Sequence, residues 1–144
     1  MARYADTGST PSAAFGLMSG QWYASSQQAI SAQNNLGNGT LRLYPKFWPA
    51  STIVGVQIDV SGAGSTGATF RAGIYADSGG QPGALLYEFG SLAADTTTPT
   101  ALTGTWKIPY YGVWWFGGAV QNAATTQPTI QGITSSDSGI PVPV

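Results

Sequence analysis

The chain has 144 residues, five Lys and Arg against six Asp and Glu, and a net charge of −1; it suits one domain with a single core and lacks the basic surface that phosphate neutralisation needs. Charged residues make up 8%, against about 25% in an ordinary soluble domain, which leaves a surface of Ser, Thr, Asn, Gln and backbone that costs little to desolvate against a partner. With no Cys there is neither a disulfide framework nor a thiolate metal site, and with no His a serine or metal hydrolase would need unusual bases.

The first residues, MARYADTGSTPSAAFGLMSG, mix small polar residues with Tyr4, Phe15, Leu17 and Met18 and follow neither a helical nor a strand period. They read as an extended arm over residues 1–20 that docks on a neighbouring subunit. The start carries no signal-peptide pattern, and no stretch approaches the ~18 to 20 apolar residues of a membrane span. The expectation is therefore a protein made and assembled in the cytoplasm of the producing cell. A domain over residues 21–136 opens on Trp22-Tyr23, followed by a polar connection from Ser25 to Thr40. Leu41, Leu43 and Phe47 then alternate with Arg42, Tyr44 and Lys46, and Pro45 within the run predicts a sheet edge or a bulge, because Pro gives no ladder donor. Thr52 to Val60 reads as the clearest core strand, with Val54, Val56, Ile58 and Val60 on one face and Gln57 and Asp59 on the other.

Ser61 to Gly67 is a Gly-rich connection, and FRAGIYADSGGQPGALL, residues 70–86, then reads as two strands around a turn. Phe70, Ala72 and Ile74 alternate with Arg71, Gly73 and Tyr75; Asp77, Gly79, Gly80, Pro82 and Gly83 supply a side-chain acceptor, residues that tolerate positive φ, and one fixed φ. After a loop from Ser91 to Pro99, Leu102, Trp106 and Ile108 mark an alternating strand that Pro109 ends. Tyr110 to Gln121 is a continuous apolar run whose bulky aromatics and glycines favour a strand buried on much of both faces. Pro128 to Thr134 gives a last short strand, and residues 137–144 an extended tail. About eight strands without a convincing helix predict an all-β antiparallel β-sandwich, jelly-roll-like, with an immunoglobulin-like order left open.

The order Ile-Tyr-Ala-Asp, Gly-rich turn, Pro-Gly-Ala-Leu-Leu resembles a β-sandwich module of bacteriophage tail, fibre and surface proteins, and the likeness extends loosely from about Gly20 to Ile133. It implies a sandwich and no catalytic residue. The function expected is a non-enzymatic virion structural protein, a capsid decoration or cement protein on the particle surface. Its partners would be its own copies, a trimer being the expected homo-oligomer, and the major capsid protein or another virion protein. The alternative is a tail receptor-binding module that recognises host surface glycans.

Two aromatic sets are candidates for such contacts. Tyr110, Tyr111, Trp114 and Trp115 are the first. Neighbours on a strand point to opposite faces, so one of Trp114 and Trp115 should fill the core and the other lie at a surface, under a loop or in an interface, unless a bulge buries both. Trp48 and Tyr44, with Lys46 and Arg42 at the same parity, form the second, either as a sugar or subunit contact or as a solvated face. Asp77 to Gln81 offers oxygens to a cation but lacks the acid density of a calcium loop, so Asp77 is assigned to an Asx-type turn. No pair of the six acids has glycosidase spacing, and no metal or cofactor is expected.

Overall fold

The computed structural model describes residues 2–6, 21–24 and 37–130. Among the described residues ten strands run in the order β1 (Ala2–Asp6), β2 (Gln21–Ala24), β3 (Leu41–Trp48), β4 (Ser51–Ile58), β5 (Val60–Gly62), β6 (Thr69–Asp77), β7 (Pro82–Ala93), β8 (Thr100–Ile108), β9 (Gly112–Gln121) and β10 (Thr129–Ile130). Eight of them build two four-stranded antiparallel sheets, β2-β1-β4-β8 and β3-β9-β6-β7, while β10 pairs with β5. The all-β antiparallel sandwich expected from the alternating runs is the fold observed.

The pairing is nested. β6 pairs with β7, β4 outside them with β8, and β3 outside those with β9. One long hairpin wrapped around a core in this way is the jelly-roll arrangement. The outermost strand, β2, takes as its partner the preceding strand β1, which also pairs with β4. Ala2–Asp6 is thus an internal strand with ladder bonds on both sides, which corrects the arm reading for these five residues, while residues 7–20 lie outside the described residues. Five residues of mixed small and polar type are too few to show a period, so strand pairing there is set by the β4 edge waiting for a partner. Phe15, Leu17 and Met18, and the tail 137–144, lie outside the described residues.

The core forms where the sheets meet. Trp48, Ile53, Val56, Ile58, Ile74, Ile108, Phe116 and Val120 are fully buried. Across the sandwich the Phe89 ring of β7 meets Trp106 of β8 edge-on, at a centroid distance of 4.8 Å and an interplanar angle of 84°, the arrangement that aromatic quadrupoles favour. In β4 the register shifts between Ile53 and Gly55. This bulge places Ile53 in the core and leaves Val54 half-buried, so the four-residue apolar face expected at Val54, Val56, Ile58 and Val60 is corrected to Ile53, Val56, Ile58 and Val60.

β9 carries the aromatic run and lies between β3 and β6. Its glycines allow that packing: a Cβ on Gly117 would stand 1.9 Å from the Arg42 carbonyl oxygen, and one on Gly118 would stand 2.0 Å from that of Arg71. The hairpin turn after β6 is built as its residues require. Gly79 and Gly80 both have positive φ, 65° and 83°, Ser78 N–H donates to the Gln81 carbonyl at 2.8 Å, and the Asp77 carboxylate accepts from Gly80 N–H at 3.1 Å. Pro82 opens β7, where a missing donor costs least, and Gly83 fits beneath Ser78, whose Cβ would be 3.0 Å from an added one.

Candidate functional site: the outer face and aromatic tip of the second sheet

The parity of β3 is inverted relative to its sequence. Its register against β9 sets Lys46 beside Trp114 and Tyr44 beside Phe116, both core residues, so Arg42, Tyr44, Lys46 and Trp48 face inward while Leu41, Leu43, Pro45 and Phe47 face out. Trp48 decides the orientation. It is completely buried, packs at 5.4 Å against Phe116 with the rings tilted by 52°, and donates its indole N–H to Ser51 Oγ at 2.8 Å. Because β3 is an edge strand, as Pro45 predicts, its inward cations Arg42 and Lys46 are half-buried and not fully enclosed. Lys46 sits over the Trp48 ring at 4.9 Å, and burial lowers its pKa to about 8. The reading of Trp48, Tyr44 and Lys46 as an outward contact set is thus corrected: Trp48 is core, and Tyr44 and Lys46 are half-buried beside it.

The outward residues make up for this. Phe47 is 65% exposed, Leu41 48% and Leu85, on β7, 49%. The tip of the sandwich carries the β3–β4, β6–β7 and β8–β9 connections, and there Tyr110 and Tyr111 are also more than half exposed. Tyr111 stacks on Phe47 with ring centroids 6.1 Å apart and planes 26° from parallel. Tyr110 leans on Trp114 at 4.9 Å, and its carbonyl accepts the Trp114 indole N–H at 3.2 Å. Three exposed rings, Phe47, Tyr110 and Tyr111, are therefore held by packing at one end of the molecule.

The two tryptophans separate as strand alternation requires. Trp114 is buried, and Trp115 is half-buried under the β6–β7 turn, donating its Nε1–H to Asp77 Oδ1 at 2.8 Å. That bond, and behind it the Gly80 amide, holds the Asp77 carboxyl below its ordinary range. Three further acids are likewise engaged. Asp95 accepts from Gly67 N–H at 2.8 Å at the opposite end of β7, Glu88 pairs with Arg71, and Asp59 accepts from Gln57. Among the described residues no three His, Cys, Asp or Glu side chains converge as metal ligands.

Beyond the tip, the outer face is a grid of cross-strand rows. One row reads Pro45, Trp115, Tyr75 and Leu85, the next Leu43, Gly117, Gly73 and Glu88, and the third Leu41, Ala119, Arg71 and Ser91. The middle row has glycine on both central strands, so it lies as a trough between the other two. Sequence reasoning named Tyr110, Tyr111 and Trp115 but missed Phe47, Leu41 and Leu85. The signal was present in β3: an aromatic four residues from Tyr44 and beside an aromatic-rich partner strand outweighs two cations in choosing the inward face. Comparison of the chain with protein-family models, curated proteins and solved structures finds no match.

Proposed function

We propose that this chain is a non-enzymatic virion protein of the bacteriophage surface type, which decorates and cements the head exterior by seating its aromatic tip on copies of itself and on the capsid lattice. The observation that carries the reading is the tip itself: Phe47, Tyr110 and Tyr111 stand more than half exposed, with Phe47 stacked on Tyr111 and Tyr110 packed on Trp114, and the chain has few charged groups to desolvate. Rigid aromatics are the side chains that most often anchor protein contacts. The edges of the same sheet are unsuited to strand addition. β3 carries Pro45 and an inward cation, and β7 shifts register against β6 at three places. Contacts of this sheet therefore fall to its tip and outer face. The resemblance of residues 70–86 to phage surface modules supports the virion setting.

The test adds purified chain to phage particles that lack it. Wild type binds and raises the temperature at which the particles release DNA, because a ligand of the assembled state stabilises it by mass action. Phe47→Ser with Tyr111→Ser leaves the isolated fold intact and lowers occupancy about tenfold or more. Equal occupancy of wild type and the double variant would remove the tip from the contact. Unchanged heat resistance with lost adsorption to cells would replace cementing by receptor recognition.

A further inference from the structure

The trough on the outer face ends in a small polar site that the tip does not use. A space of about 210 Å³ opens there, with Leu41, Ala119, Tyr75 and Leu85 on its walls and Arg71, Glu88 and Gln121 at its rim. Its floor is backbone: Gly73 places no side chain there, and Gly118, where a Cβ would point into the core against the Phe70 ring, presents only its main chain. A Cβ on Gly73 would lie 3.3 Å from Leu85 Cδ1 and 3.5 Å from Tyr75 Cε2, so both side chains lean over the glycine and narrow the trough above it. Arg71 and Glu88 form an ion pair across β6 and β7 at the rim and remain 44% exposed.

The geometry points to a binding site for one ring of a neutral saccharide. A sugar ring has an apolar face of C–H groups and an edge of hydroxyls, each both donor and acceptor. The trough offers the matching halves, an aromatic and aliphatic wall for the face and a donor, an acceptor and an amide for the edge. The ion pair is neutral as a unit and gives no net attraction to an anion or a cation, whereas vicinal hydroxyls can accept from the guanidinium and donate to the carboxylate at once. The volume is below the ~300 Å³ at which pockets for drug-sized ligands begin, which suits a single ring with the rest of a chain lying along the trough. The inference is independent of the tip, since none of Phe47, Tyr110 and Tyr111 lines this space.

The experiment records amide spectra of the full chain by NMR during titration with glucose, galactose, mannose and N-acetylglucosamine, with glucuronate as the anionic comparison. At least one neutral sugar should shift the amides of Gly73, Gly117 and Gly118 saturably, with a Kd on the order of 1 mM. Tyr75→Ala and the milder Glu88→Gln should each weaken that binding about tenfold, while Phe47→Ser with Tyr111→Ser should bind as wild type does. The inference is overturned if no neutral sugar moves the floor amides at tens of millimolar, if glucuronate alone does, or if Glu88→Gln binds unchanged. It is also overturned if these amides shift with protein concentration alone, which would mean that a second copy fills the trough.

Discussion

The edge strands β8 and β3 solve opposite problems. β8 follows the simple rule: Leu102, Trp106 and Ile108 face the core while Ala101, Thr103, Thr105 and Lys107 face out. β3 buries Tyr44, Lys46 and Trp48 and turns Leu41 and Phe47 to solvent. The difference shows what an edge permits. A central strand facing a closed core could not accept Lys46, but an edge strand leaves it half-buried, and an inward cation on an edge also discourages a further strand from pairing. The apolar side chains displaced to the outside then become the contact surface of the molecule.

Replacing the aromatic anchors breaks this comparison most severely. Trp48→Ala or Trp114→Ala should each cost about 3 to 5 kcal/mol in urea unfolding, through lost burial and a cavity. Trp115→Ala, one residue further along β9, should cost only about 1 to 2 kcal/mol, since its ring is half-buried and its main bond is to a turn carboxylate. Equal losses at Trp114 and Trp115 would contradict the assigned parity of β9.

The two lysines sharpen the comparison. Lys46 has a folded-state pKa of about 8 against an ordinary 10.5, so between those values the unfolded chain binds more protons than the folded one. Stability should therefore be lowest below pH 8 and rise with pH up to about 10.5, by on the order of 2 kcal/mol from this group. Lys46→Met should abolish that rise. Lys107→Met on exposed β8 should leave it unchanged, and a slope that persists without Lys46 would place the cation outside the core.

The smallest effect is at the β6–β7 turn. Trp115→Phe removes the strongest of the two bonds to Asp77, and the carboxyl pKa measured by NMR should move up toward its ordinary value. In the wild type the stability from this depressed carboxyl is present above its unfolded pKa and lost as pH falls through the folded one. A shift downward in the variant would mean that another group sets the Asp77 charge.

Most of the fold was legible because its local rules agree. In β6 and β8 the alternation of Phe70, Ala72, Ile74 and of Leu102, Trp106, Ile108 matches the burial observed, and the Asp77 to Gly80 turn has the residues that its positive φ values demand. What escaped the sequence depends on pairing between distant strands. The Val54 bulge exists because β4 meets β8, and the inward face of β3 follows from the rings of β9. The role of Ala2–Asp6 follows from the open side of β4. Each of these is decided by a partner more than 40 residues away. The same holds for the trough, which needs Gly73 and Gly117 brought side by side.

The nested pairing also fixes an order of events as the chain folds. β6 and β7 are joined by a short turn and can pair early, and β8 can then close on β4. β3 has no partner in its sheet until β9 arrives, because β9 alone bridges it to β6. During synthesis, about 70 residues separate the emergence of Trp48 from that of its ring partner Phe116, and throughout that interval the Leu41–Trp48 segment stays an unpaired, aromatic-rich strand. Pro45 and the two cations that look misplaced in the finished core are then its protection against pairing with the wrong chain.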